Sequence, residues 1–256
     1  MSELTITRVA HAAVLLGFNG HYILTDPWFS QKPGYSPGEE LGVSLGELPQ
    51  LDGVVVSHGH YDHYDMEAFA AYPDKQVPMA VKRGIAETAR QVGFTNVIEL
   101  DAWETMTLGP VKVTATPGKH KVPEITYVLE AEGFTVYFGA DTLLIPELGE
   151  VAQRFPHIDL ALFAVNGLRL RPLFNRQVVM NAQEAAQLCG MLKPRFAVPM
   201  HYAFTAGAFR DRFLLKYDGT PQEFQQAAAQ HAAETIVRIL APGEPLTIPS
   251  RQSVHS

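Results

Sequence analysis

Short apolar runs that stop on a histidine or an aspartate constrain this chain more than any other feature. GVVVS (53–57) runs straight into His58-Gly59-His60-Tyr61-Asp62-His63, FTVYFG (134–139) leads through Ala140 to Asp141, and RFAVPM (195–200) ends on His201. A fourth run, VKVTAT (111–116), reaches His120 after Pro117, Gly118 and Lys119. Runs rich in Val, Ile, Thr, Tyr and Phe and closed by turn residues read as strands. Strands that finish along one sheet edge would deliver five histidines and two aspartates to one place, on a rigid support.

Further strand candidates are LTITRV (4–9), AAVLL (12–16), HYILT (21–25), ITYVLE (125–130), DLALFAV (159–165) and TIVRIL (235–240). Helical candidates fall between them at Met66–Tyr72, Gly84–Val92, Pro146–Arg154, Ala182–Leu192 and Pro221–Ala233. Asn181 with Glu184, and Thr220 with Glu223, have the spacing of capping boxes at the starts of the last two. Strands outnumber helices and helices occur in both halves, so the expected architecture is α+β, two sheets face to face with helices outside. No linker, low-complexity tract or short repeat interrupts the chain, and one domain over residues 1–256 is expected. The Gly- and Pro-rich stretch Pro27–Pro49 is long for a plain connection and is expected to form a lid or the rim of a site.

The single cysteine, Cys189, sits in an apolar helical stretch and reads as a core thiol; with no partner it forms no intrachain disulfide. No signal peptide and no membrane-length apolar run is visible, so a cytoplasmic location and no membrane span are expected. The net charge of −7 and the lack of a basic run argue against a nucleic-acid partner.

Imidazole nitrogen and carboxylate oxygen suit zinc first, with manganese or iron as alternatives, and there is no thiolate in the set to select a soft metal. Seven ligands are too many for one tetrahedral ion and suit two. HGHYDH resembles the HxHxDH signature of the metallo-β-lactamase superfamily, and His120, Asp141 and His201 follow in that family's order. The resemblance spans nearly the whole chain and implies an αββα sandwich of two mixed sheets. It further implies that His58, His60 and His120 hold one metal, that Asp62, His63 and His201 hold a second, and that Asp141 bridges them. Flavodiiron members carry Glu where this chain has His60, which disfavours redox chemistry. The retained Asp62 points to hydrolysis, with Asp62 orienting a metal-activated water against a lactone, ester, thioester, amide or phosphodiester. Asp26 is either a partner that orients a ligand imidazole or an Asp-Pro turn former, and Asp65 is expected to cap the helix from Met66.

The opening pattern through His11 to TDPWF, and MNAQEAAQL before KPRFAVPMHYAF, resemble the branch containing ascorbate-6-phosphate lactonase and N-acylphosphatidylethanolamine phospholipase D. That branch implies a small, anionic-leaning substrate without naming it. Arg169 and Arg171, with Arg176, fall in one segment and read either as an anion clamp over the metals or as a solvated loop of paired charges. Tyr202 and Phe204 are candidates for a pocket wall. AFRDRFLLKY (208–217) reads as core before lid or dimer contact. The rival functions are a ribonuclease Z-type nuclease, a glyoxalase II-type thioesterase and a non-catalytic metal-binding module on the same fold.

Overall fold

A computed structural model of the chain describes residues 2–251, so residues 1 and 252–256 of the expected 1–256 span lie outside the described residues. Strands β1 (Glu3–Ala10), β2 (Ala13–Phe18) and β3 (His21–Thr25) form an antiparallel meander. β4 (Gly53–Val56), β5 (Met79–Lys82) and β6 (Val97–Leu100) extend it in parallel. The second sheet reverses that order of construction. β7 (Thr105–Leu108), β8 (Val111–Pro117), β9 (Ile125–Ala131) and β10 (Phe134–Phe138) are antiparallel, and β11 (Leu160–Ala164) then joins β10 in parallel. After β12 (Arg169–Leu170) and β13 (Arg176–Gln177), the parallel half continues with β14 (Phe196–Met200) and, past β15 (Leu215–Lys216), with β16 (Ile236–Val237). β17 (Pro245–Pro249) returns to the free edge of β1. The result is two mixed seven-stranded sheets, plus a small third sheet in the order β13-β12-β15.

One core cluster lies between the large sheets, with Leu16, Ile23 and Val55 of the first against Val113, Leu129, Phe138 and Leu162 of the second. The outer face of the first sheet is covered by α1 (Met66–Phe69) and α2 (Ala86–Gln91). The outer face of the second is covered by α3 (Leu148–Arg154), α4 (Ala182–Leu192) and, beyond α5 (Ala208–Phe213), by α6 (Pro221–His231). This is the expected αββα sandwich. Across it, the buried Tyr127 hydroxyl of β9 donates to the Val56 carbonyl of β4 at 2.8 Å, tying the second sheet to the strand that leads into HGHYDH.

Local chemistry explains where several elements start and stop. Asn181 accepts from the Glu184 amide while Glu184 reaches back to the Asn181 amide, so α4 begins where the capping box places it. At Thr220 the side chain accepts from the Glu223 amide, and Pro221 supplies the first helical residue. Asp65 caps α1 by accepting from the Ala68 amide at 3.1 Å. That helix stops at Phe69 rather than Tyr72: the Ala71 and Tyr72 amides donate to the Ala68 and Phe69 carbonyls three residues back, a tighter turn that leads into Pro73. Cys189 is buried in α4.

One expectation needs correction, and several strands carry no signal in the sequence. The short strands β5, β6, β7 and β17 carry too few residues to show a pattern of their own, and they appear only because a neighbouring strand pairs with them. AFRDRFLLKY is not core: α5 buries none of its residues, and Phe209 and Phe213 are 69% and 54% exposed. The helix lies outside the sandwich, and the chain after it turns inward through β15.

Candidate metal centre

The parallel strands of both sheets present their carboxyl ends on one edge, and the site is assembled there. β3 and β4 are parallel neighbours, so Asp26 and Ser57 emerge side by side. In the loop after β4, the His63 and Tyr64 amides both donate to the His60 carbonyl (3.1 and 2.9 Å), folding His58, His60, Asp62 and His63 around a tight turn. The Asp65 amide pins that turn to the Pro27 carbonyl at 3.0 Å. β10 delivers Asp141 and β14 delivers His201. Four non-glycine residues at this edge have left-handed backbones: His11 (φ 54°), Asp26 (φ 34°), Ala140 (φ 44°) and His201 (φ 59°). Such conformations cost about 1–3 kcal/mol each and persist where the surroundings over-determine them, as they do at functional sites.

The seven side chains singled out in the sequence come together in two adjoining cradles. In one, His58 Nε2 and His60 Nδ1 are 2.9 Å apart, and His120 Nε2 is 3.3 Å from the same His60 nitrogen. In the other, Asp62, His63 and His201 gather with His11, their ligand atoms all within 4.8 Å of one another. Asp141 Oδ2 lies between the two, 3.0 Å from His201 Nε2, 3.3 Å from His63 Nε2 and 3.9 Å from His120 Nε2. His63 Nε2, His201 Nε2 and Asp141 Oδ1 are buried without a hydrogen-bond partner among the described residues. Buried polar atoms left so would be costly, and a divalent cation is the group that nitrogen and carboxylate oxygen donors of this kind satisfy.

The far sides of the rings are held by the protein. His63 Nδ1 donates to Asp26 Oδ2 at 2.7 Å, and Asp26 also accepts from the Ser57 amide (2.7 Å) and hydroxyl (2.6 Å). Asp26 is therefore the partner that orients the His63 imidazole as well as a turn residue. His120 Nδ1 donates to the Val178 carbonyl at 2.6 Å. His58 Nδ1 lies 2.9 Å from Ser57 Oγ and 3.4 Å from Glu124 Oε2. Each contact leaves the opposite nitrogen free to face the cradle. Glu124, fully buried behind His58, was missed in the sequence; it follows Pro123 in a turn and carries no motif.

The electrostatics favour neutral, lone-pair-bearing rings. Burial pushes His58 well below its usual value and His60 down to about 4, and both also feel neighbouring imidazoles; burial lowers His120 as well. His63 is the exception: burial opposes its charge, yet Asp141 and Asp26 hold it well above the usual value. Burial would raise Asp62 and Asp141, but surrounding histidines outweigh it and keep both carboxylates ionised.

The β-lactamase superfamily domain matches residues 21–202, which contain every one of the seven side chains. The chain belongs to this family. Its sequence is 30% identical to a UPF0173 metal-dependent hydrolase of Anaeromyxobacter dehalogenans, covering 94% of this chain and 85% of that protein. It is equally similar, at 30%, to one from Rubrobacter xylanophilus, covering 94% and 95%. The fold is shared with the metallo hydrolase Igni18 of Ignicoccus hospitalis (TM-score 0.75, 22% identity, 97% and 100% of the two chains). It is shared too with an isothiocyanate hydrolase from Delia radicum gut bacteria (TM-score 0.74, 20% identity, 94% and 98%). This protein is accordingly a metal-dependent hydrolase of the β-lactamase superfamily.

In this hydrolase the cradles open into a cavity of about 210 Å³ lined by His60, Asp62, His120, Asp141 and His201. Its outer wall is apolar, with Leu168, Leu170, Val178, Phe204 and Leu215, and its cations are Lys121 and Arg210. The small third sheet contributes Leu170 and Leu215 to that wall, and the Pro27–Pro49 stretch contributes Gly34 and Tyr35. Gly34 is φ +88°, a backbone that favours glycine, and a Cβ there would lie 1.8 Å from Arg210 Nη1, so a larger residue would displace the guanidinium. Arg169 and Arg171, open between an anion clamp and a loop of paired charges, lie away from this lining. Arg169 pairs with Asp218 at 2.6 Å and with Gln177, and Arg171 donates to the Leu215 carbonyl; neither lines the cavity. The paired-charge reading of that segment describes it. Tyr202 is likewise outside the lining, its hydroxyl held by buried Arg8 at 2.6 Å, while Phe204 supplies the wall. Among the described residues no helix is long and apolar enough to cross a membrane.

Proposed function

We propose that this hydrolase holds two divalent metal ions, zinc before manganese or iron, and cleaves a small lactone, ester or phosphodiester. The observation that carries the reading is the position of Asp141 Oδ2, within 3.0–3.9 Å of imidazoles from both cradles. A carboxylate so placed suits a bridge. His58, His60 and His120 would hold one ion, and Asp62, His63 and His201 the other. Ions bound there supply a water of lowered pKa and a Lewis acid for the carbonyl or phosphoryl oxygen.

The chain's own residues do the rest. Asp62, kept ionised among histidines and lining the cavity, accepts a hydrogen bond from the attacking water and aims its lone pair. The fixed imidazoles and Asp141 keep the reacting groups in one geometry, so little reorganisation accompanies the change of charge. Lys121 and Arg210 would receive an anionic part of the substrate, while the leucines and Phe204 pack against an apolar part and exclude water. A cavity of this size, in a chain of net charge −7, supports a small molecule over the RNA of a ribonuclease Z-type reading.

The test is elemental analysis of purified protein joined to a panel of lactones, phosphodiesters, thioesters, β-lactams and isothiocyanates. Two equivalents of metal and turnover of a lactone, ester or phosphodiester are expected, with Asp62→Asn losing about 10²–10⁴ in kcat while keeping its circular dichroism. A single tightly bound equivalent, or an Asp62→Asn enzyme as active as wild type, overturns it.

A further inference from the structure

His11 bears two costs, and among the described residues no hydrogen bond to its ring offsets them. Its side chain is completely buried with neither ring nitrogen hydrogen-bonded to a described residue, and its backbone is left-handed at φ 54°. An unsatisfied buried polar group costs about 1–3 kcal/mol. The backbone is clamped on both sides nonetheless. Its amide donates to Glu39 Oε1 at 3.1 Å, with Glu39 itself paired to buried Arg8, and its carbonyl accepts from the His201 amide at 3.3 Å. The ring is sandwiched by aromatic neighbours, with its centroid 3.8 Å from that of His201 and 5.0 Å from that of Trp28. Everything that holds this residue fixes where the ring points, and the ring points at the cradle of Asp62, His63 and His201.

The spacing separates two uses of that ring. His11 Nε2 is 3.4 Å from Asp62 Oδ2, beyond the 2.7–3.2 Å usual for an N–H···O bond. Two neighbouring ligands on one five-coordinate ion, each at about 2.0–2.1 Å, are separated by about 2.8–3.6 Å, a range that contains the observed spacing. From this juxtaposition we infer that His11 supplies a further protein ligand, through Nε2, to the ion held by Asp62, His63 and His201. The inference rests on the two-ion reading above and adds to it a ligand outside the HxHxDH motif. It makes the second cradle richer in imidazole, with His11, His63 and His201, than a set of carboxylates and water would be. That favours zinc, cobalt or ferrous iron there over magnesium or calcium.

The test compares wild type with His11→Asn and His11→Gln. Asparagine tolerates the left-handed backbone yet is too short to reach the ion, so it removes the ligand with the least disturbance of the chain. Metal equivalents are counted after dialysis, affinities are read by competition with a chromophoric chelator, and the visible bands of the cobalt(II) form report coordination. One of the two ions should weaken by more than the roughly 10–100-fold that loss of an outer partner costs, with a changed cobalt spectrum. Should both variants misfold by circular dichroism, proton NMR of cobalt-substituted wild type decides. It should show six exchangeable, hyperfine-shifted imidazole N–H signals, for His11, His58, His60, His63, His120 and His201, and five would overturn the inference. Variants that bind both ions within twofold of wild type, with an unchanged cobalt spectrum, would also overturn it and leave His11 a hydrogen-bond donor to Asp62. Wild type that binds fewer than two ions sinks the underlying reading instead, so the two failures are distinguishable.

Discussion

His63 Nδ1 donates a 2.7 Å hydrogen bond to Asp26 Oδ2, joining the end of β3 to the loop after β4 across two parallel strands. Both groups are fully buried, and Asp26 is fixed in turn by the Ser57 amide and hydroxyl. The pair commits the ring to presenting Nε2 to the cradle. Replacing Asp26 with Asn keeps the shape but removes the charge and the certainty of an acceptor. Metal affinity should fall about 10–100-fold, as read by chelator competition, and an unchanged affinity would show that packing alone orients His63.

Metal-free protein should lose stability as pH falls from about 6.5 toward 4. Burial lowers His11 to about 3 and His60 to about 4, and lowers His58 and His120 in the same direction. Over that interval the unfolded chain takes up protons at these four positions and the folded chain does not, so unfolding gains as the solution acidifies. His63, whose value is raised by Asp141 and Asp26, runs the other way: its contribution is present at low pH and is lost as pH rises through its folded value. Burial raises Asp26 and Glu124, which oppose the trend as His63 does. Asp62 and Asp141, both lowered by neighbouring histidines, add to it near pH 4, so six groups stand against three. Thermal melts of chelator-treated protein at pH 7, 6, 5 and 4 should give a falling Tm, and a flat or rising series would contradict the burial argument.

Removing the tie between the sheets should cost stability without touching the ligands. Tyr127→Phe deletes the hydroxyl that donates to the Val56 carbonyl and lies 3.1 Å from the Ala80 carbonyl. A loss of about 0.5–1.5 kcal/mol in urea unfolding is expected, with metal stoichiometry preserved. Loss of metal in a folded variant would mean that Tyr127 also sets the position of the His58 loop.

Cationic side chains inside and outside the cavity should separate binding from stability. Lys121→Ala and Arg210→Ala should each raise KM for an anionic substrate about tenfold and leave a neutral analogue unaffected, consistent with a loss near 1.4 kcal/mol. Arg169→Ala removes a partly exposed pair with Asp218 and should cost at most about 1 kcal/mol of stability with KM unchanged. An Arg169→Ala enzyme with the raised KM would favour the anion-clamp reading of that segment over the paired-charge one.

Local chemistry was legible in the sequence wherever the interaction partners are close along the chain. HGHYDH closes its own turn through the His60 carbonyl, α4 begins at its own capping box, and apolar runs such as GVVVS, VKVTAT and ITYVLE carry their own strand signal. The αββα layering followed from the number and order of those strands, and the ligand types from the residues at their ends. Arrangements that join segments far apart in sequence were decided only by tertiary structure. Asp26 was balanced between turn and partner until parallel pairing of β3 and β4 set it beside His63. Glu124, Lys121 and Arg210 sit in turns and short elements without motifs, and His11 stands in a recognisable opening pattern that gives it no role; all four reach the site because the two sheets converge on one edge. The Arg169 segment looked like a clamp because charge can be read along a chain, whereas its partner Asp218 is brought to it by the fold. Sequence specifies which groups are available and which local turns they make; the packing of one sheet on the other decides which of them share a site, since contact energies depend on distance in space.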